Sequence, residues 1–122
     1  MSRKTGKIFS RIYQCLWKRY GAQGWWPGST KTEIIIGAIL TQNTNWDNVE
    51  KALKNLRRER LVNFKKLHQL PASKIAPLIR SAGYFNIKAK RLKNFVDFFF
   101  QEYNGQLRAM RREPLDKLRA RI

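Results

Sequence analysis

Residues 24–46, GWWPGSTKTEIIIGAILTQNTNW, hold two kinds of group that could do chemistry. Trp25, Trp26 and Trp46 each present a flat aromatic face the size of a nucleobase, and stacking on such a face is worth on the order of 1–3 kcal/mol per base. The Thr-Gln-Asn-Thr run at 41–44 gathers amides and hydroxyls, which could fill a gap among stacked bases without a charge penalty. Each group also has a plainer use. Tryptophan is usually core, and an amide at a helix end often satisfies carbonyls that the last turn leaves free. Trp25 reads as packing, whereas Trp26, Trp46 and Gln42 keep both readings open.

Charge favours the nucleic-acid reading. The 122 residues carry 26 Lys and Arg against 8 Asp and Glu, a net charge of +18, far more than solubility requires. A polyanion is the expected partner, with nucleic acid first and an anionic membrane surface second. The longest apolar runs fall well short of the ~20 residues that cross a bilayer, and the basic N-terminus leads into a mixed polar and aromatic stretch unlike a signal peptide. The one cysteine, Cys15, excludes an internal disulfide and any multi-cysteine metal site, which suits a reducing, cytoplasmic setting, and a DNA partner would make it nucleoid-associated. A hydrophobic content of 43% allows one real core, so residues 1–122 are expected to form a single domain.

The elements that would position these groups are helical almost throughout. Phe9, Tyr13, Leu16, Trp17 and Tyr20 recur at three and four, giving a first amphipathic helix of about four turns closed by Gly21. Cys15 sits near that stripe and is expected in the core. Residues 21–30 combine three glycines with a proline and should form an ordered loop pinning the tryptophans. Thr30 and Glu33 form a capping box, and the run from Ile34 to Leu40 leaves almost no polar face, implying a central, buried helix. Thr44 and Asp47 suggest a second capping box, opening a helix with Val49, Ala52, Leu53 and Leu56 inward and Lys51, Lys54, Arg57, Arg58 and Arg60 outward. Short helices follow at 61–70 and 73–82, the latter closed by Gly83. A longer one over 86–103 places Ala89, Leu92, Phe95, Val96, Phe99 and Tyr103 on one face and ends at Asn104-Gly105. Pro114 opens a final helix whose apolar positions, Leu115, Leu118 and Ile122, continue to the last residue without a cap. That face is expected to pack against something outside the sequence.

The segments YGAQGWWP, IIIGAILTQNT, SAGYFNIKAKRL and EYNG occur in one order across residues 20–105, and together they resemble the helix-hairpin-helix (HhH-GPD) DNA glycosylases of the endonuclease III family, nearest to the 3-methyladenine branch. The resemblance implies an all-α fold: a multi-helix, partial orthogonal bundle corresponding to a truncated half of the glycosylase fold. In the family a Gly-h-Gly-x-x-Thr-Ala hairpin, a catalytic aspartate and often four cysteines holding a [4Fe-4S] cluster lie further on. None of these motifs occurs in this chain, so neither a catalytic residue nor a cofactor is expected, and the chain alone should be inactive.

By the same resemblance Gln42 matches the residue that fills the vacancy left by an everted nucleotide, and Trp26 and Trp46 match the aromatics that sandwich the base. Lys51, Lys54, Arg58, Lys88, Lys90 and Arg91 are then candidate phosphate contacts, although a cationic helix face is commonly just solvated. Asp47 reads as a cap, Asp97 lies among phenylalanines and Asp116 suits a first helical turn. His68 is expected to be a surface or half-buried filler. Double-stranded DNA, damaged in the substrate, is the implied partner, with a separate C-terminal half as a further one and otherwise a monomer. The competing class is a non-catalytic basic helical module that binds nucleic acid by charge alone. A surface-active membrane binder would need one broad apolar stripe opposite a basic one, and several short core-facing helices argue against it.

Overall fold

The computed structural model describes residues 3–24 and 27–122, and every regular element among them is helical. In chain order these are α1 (Arg3–Tyr20), α2 (Lys31–Leu40), α3 (Trp46–Arg58), α4 (Phe64–Gln69), α5 (Ala72–Ile75), a 3-10 segment (Ala76–Ala82), α6 (Phe85–Tyr103), α7 (Leu107–Arg111) and α8 (Leu115–Arg121). The fold is all-α, as the periodicities imply.

Side-chain caps fix three of the starts. Thr30 Oγ1 accepts from the Glu33 N–H at 3.2 Å, Asn45 Oδ1 from Asn48 at 3.0 Å and Asn63 Oδ1 from Lys66 at 3.0 Å. The expected Thr30–Glu33 box is half right: the Glu33 carboxylate reaches back to the N–H and hydroxyl of Ser29, at 2.9 and 2.7 Å, one residue earlier than Thr30. The second start falls one residue late, because Asn45 and not Thr44 caps α3. Thr44 Oγ1 instead accepts from the Asn48 side chain at 3.1 Å, and Asp47 lies in the first turn. The single helix expected over 73–82 is two pieces, since Pro77 has no N–H to give an α-helical ladder and the chain tightens into 3-10 pairing there.

The core forms around α6, which meets α2, α4, α5, the 3-10 segment and α7, while α3 packs chiefly on the 3-10 segment. Val49, Ala52, Leu53 and Leu56 of α3, Ile75, Ile79 and Ala82 below them, and Leu92 and Val96 of α6 are completely buried. Asn55 Nδ2 donates to the Leu78 carbonyl at 3.0 Å and Ser81 Oγ to the Asn48 carbonyl at 2.9 Å, fixing α3 along that segment. α2 is less central than its composition implies: Ile36, Gly37 and Leu40 are buried, but Ile34, Ile35, Ala38 and Ile39 are only partly covered. At the end of α6, Asn104 and Gly105 are both left-handed (φ 53 and 72), and a Cβ on Gly105 would meet the Phe100 ring at 2.6 Å, so glycine is required there.

α1 departs from expectation. Its extent agrees with the stripe, but no residue of it is buried, and Cys15 is exposed and not in the core. Ile8, Phe9, Ile12, Tyr13, Leu16, Trp17 and Tyr20 are between 49% and 64% exposed. At the other end Leu118 packs on the core while Leu115 and Ile122 stay exposed. α8 is held by Arg121, which pairs with Glu113 at 2.5 Å and with Glu102, its guanidinium lying 5.9 Å from the centre of the Phe98 ring.

Candidate nucleic-acid site

The chain reverses between α2 and α3 in five residues, 41–45, and this tight turn carries the polar run. The Thr41 N–H still bonds the Gly37 carbonyl at 2.8 Å, Asn43 turns the chain in the left-handed region (φ 56), and Asn45 is extended as it caps α3. Asparagine tolerates that left-handed position better than most residues. Gln42 therefore stands exposed at the tip of a short, well-braced reversal. It lines a groove of about 460 Å³ together with Ile39, Arg91, Asn94, Phe95 and Phe98, and Arg121 and Ile122 close its far side.

Trp46 opens α3 and lays its ring across the turn onto α2. The fit requires glycine at 37, because a Cβ there would come within 2.7 Å of Trp46 Cη2. The ring is partly buried, with one part of its surface committed to α2. Trp26, and Trp25 beside it, lie outside the described residues, so the structure gives no position for the second stacking candidate.

The candidate phosphate contacts separate into two groups. Lys51, Lys54 and Arg58 are exposed on α3, and Lys90 and Arg91 on α6, with Arg91 beside Gln42 on the groove. Lys88 is corrected: it is 1% exposed, and its ammonium donates to the carbonyls of Leu40 at 2.9 Å and Ala82 at 2.7 Å. Burial, and secondarily the nearby Arg91, push its pKa below the usual lysine value. The signal for this was its register: Lys88 lies four residues before Leu92 and eight before Val96, on the buried stripe of α6, where a solvated lysine has no place.

The two carbonyls that Lys88 serves end different helices. Leu40 closes α2 and Ala82 closes the 3-10 segment, and both residues are fully buried, so water cannot satisfy them. A buried carbonyl left without a donor costs about 1–3 kcal/mol. Two helix C-termini converging on one ammonium bring partial charges of roughly −0.5 each, which together offset the cation where no carboxylate does.

Glu33 is a structural pivot as well as part of a cap, a role that the capping spacing does not reveal. Its carboxylate is buried at the start of α2 and accepts from Arg57 Nε at 2.6 Å, while Arg57 also reaches Glu50 at 2.8 Å, joining α2 to the far end of α3. The Arg57 bond, helped by the two from Ser29 and opposed by burial, holds the Glu33 pKa at about 2, and the same contact raises that of Arg57. His68, expected as filler, stacks on Phe100 (4.5 Å between centres) with Nδ1 2.8 Å from Asp97, itself 3.2 Å from Lys93. Asp97 is thus engaged away from the turn.

No group of three or more His, Cys, Asp or Glu side chains among the described residues is arranged to hold a metal. Cys15 as the single thiol does not fit a cluster that takes four thiolates. No helix among the described residues is long and apolar enough to cross a membrane.

The fold is a helical body that braces an exposed amide at an inter-helix turn, with an aromatic ring on the same turn and a cation on the adjoining groove. Residues 36–117 match the model of the HhH-GPD superfamily base excision DNA repair proteins, and the chain belongs to that family. It is 42% identical over 118 residues to a proposed DNA repair glycosylase of Methanocaldococcus jannaschii, an alignment covering 97% of this chain and 53% of that protein. The crystal structure of the H. pylori 3-methyladenine DNA glycosylase bound to 1,N6-ethenoadenine matches with a TM-score of 0.72 at 27% identity, covering 94% of this chain and 56% of that one. The chain spans about half the length of these relatives.

Proposed function

We propose that these residues form the base-receiving half of a base-excision DNA glycosylase, acting on duplex DNA that contains a damaged base. The observation that carries the reading is the placement of Gln42, exposed at the tip of a turn tied to the core from both sides. Eversion of a nucleotide leaves a gap in the duplex, and an uncharged amide held rigidly can fill it. The everted base would stack on Trp46 and on Trp26, which lies outside the described residues. A purine adduct suits such a pocket, and the solved H. pylori relative holds 1,N6-ethenoadenine. Lys51, Lys54, Arg58, Lys90 and Arg91 would meet the phosphates, setting affinity without reading sequence.

Excision needs more than binding. Hydrolysis of the N-glycosidic bond develops oxocarbenium character and needs a carboxylate to stabilise it and to orient water. Asp97 is bonded to His68 and Asp116 belongs to α8, while Asp47, exposed beside Trp46 in the first turn of α3, suits the helix dipole and does not match the position of the family's catalytic aspartate. The acid would come from the part of the fold that the relatives have beyond the matched half, supplied by further chain or by a separate polypeptide. The 122 residues alone then bind but do not cleave.

The test is fluorescence anisotropy with two duplexes, one intact and one holding a stable abasic analogue, over a series of salt concentrations. The abasic duplex is expected to bind more tightly at every salt, with Gln42→Ala removing most of the preference. Equal affinity for both, falling together with salt, overturns the reading in favour of a basic helical module that binds by charge alone.

A further inference from the structure

We propose that Lys88 is a positioning residue for the Gln42 turn: by clamping the end of α2 to the end of the 3-10 segment, it fixes where the amide meets the duplex. The inference rests on the wedge reading of Gln42 above. Leu40, whose carbonyl takes the 2.9 Å bond, is two residues before Gln42, and Ala82, which takes the 2.7 Å bond, is six before Lys88 itself. The clamp therefore ties the root of the turn to the first stretch of α6. From that same stretch Arg91 extends to the groove shared with Gln42, so one buried ammonium sets the spacing between the amide and a neighbouring cation.

The alternatives differ in what they expect. A phosphate contact needs its ammonium in solvent, and this one is 1% exposed with both carbonyls at hydrogen-bond distance. A packing lysine would contribute its methylenes and leave the charge indifferent. Here the charged end is the buried end, and it is spent on the carbonyls that close two helices. Losing it frees the root of the turn while leaving Gln42 chemically intact.

The experiment compares wild type, Gln42→Ala, Lys88→Met, Lys88→Gln and the Gln42→Ala/Lys88→Met double variant in the two-duplex anisotropy assay. In Lys88→Met the abasic preference should fall about 3- to 10-fold, the range of one lost polar contact. Affinity for intact duplex and its salt slope should be unchanged, and the double variant should lose no more than Gln42→Ala alone. Lys88→Gln, which keeps a donor for one carbonyl and is expected to fold if Met does not, should fall between. A salt slope reduced by about one with the preference intact makes Lys88 a phosphate contact and overturns the proposal. A lower melting temperature with the preference intact makes it packing alone and does the same. If Gln42→Ala changes nothing, the wedge reading fails on its own. Hydrogen exchange at backbone amides 41–45 still decides the clamp: faster exchange in Lys88→Gln supports it and unchanged exchange overturns it.

Discussion

α1 and α3 are built on the same plan and meet opposite fates. Both repeat apolar residues at three and four and carry cations on the other face. Yet Val49, Ala52, Leu53 and Leu56 of α3 have no exposed surface, while the stripe of α1 is about half exposed along its whole length. The difference lies in the complement. The 3-10 segment offers α3 Ile79 and Ala82 at matching height and anchors it through Asn55 and Ser81, whereas no principal helix pairing includes α1. Amphipathicity shows that a helix has a face and says nothing of where its partner is. Burying each large side chain of α3 contributes about 1.5–3 kcal/mol. α1 gains little of this kind and depends on propensity alone, which barely sustains an isolated 18-residue helix.

The largest effect that follows is in α3. Leu53→Ala removes a side chain of zero exposure and should cost about 2–5 kcal/mol in denaturant unfolding, by lost transfer energy and the cavity left behind. A loss below about 1 kcal/mol would erase the contrast between the two helices.

Next is the buried acid that joins α2 to α3. Glu33 has a folded-state pKa of about 2 against an ordinary 4.5, so its stabilisation is complete above pH 4.5 and disappears as the pH falls toward 2. By linkage this amounts to roughly 3–4 kcal/mol at most, and unfolding free energy should decline over that window. Glu33→Gln should flatten that decline. A decline just as steep in Glu33→Gln would place the acid sensitivity in other carboxylates.

A smaller effect is expected at the turn. Gly37→Ala places a methyl 2.7 Å from the Trp46 ring, an overpacking cost of about 1–3 kcal/mol, of which the better helix propensity of alanine returns almost 1. The net loss should be about 1 kcal/mol, accompanied by a red shift of tryptophan emission in the wild-type-minus-variant comparison as Trp46 is pushed outward. Unchanged emission and stability would mean that the ring is not seated on α2.

Much of the fold could be read from the chain because local signals and burial agree there. The stripes of α3 and α6, the Asn104-Gly105 stop and the polar turn all lie where the spacing puts them. Four departures have distinct causes. Asn45 and Thr44 are both good caps, and spacing alone does not choose between neighbours. Pro77 divides a helix whose apolar period runs through it without a break. For Lys88 the residue type suggests solvent while the register gives the burial, since its neighbours at four and eight are both core. Cys15 lies near an apolar stripe that suggests a core, and the described residues provide none for it. The site was legible in one respect: the sequence offers Gln42 and Trp46 as groups, but only the reversal at Asn43 and the bare Gly37 explain why they share a turn.

The smallest expected effect bears most directly on the comparison. If α1 lies free of the body, Leu16→Ser combined with Trp17→Ser should shift the global unfolding free energy by less than about 0.5 kcal/mol, because both side chains are already about half exposed. Local helicity of α1 is tracked separately by far-ultraviolet circular dichroism, since serine is a poorer helix former than the leucine it replaces. A loss above about 1 kcal/mol means that the α1 face is covered in solution. Protein concentration then identifies the cover: a loss that is the same at every concentration places α1 on its own body, and one that grows with concentration places it on another copy of the chain. Either outcome would make α1 and α3 alike after all, and would move the boundary of the core to include residues 3–20.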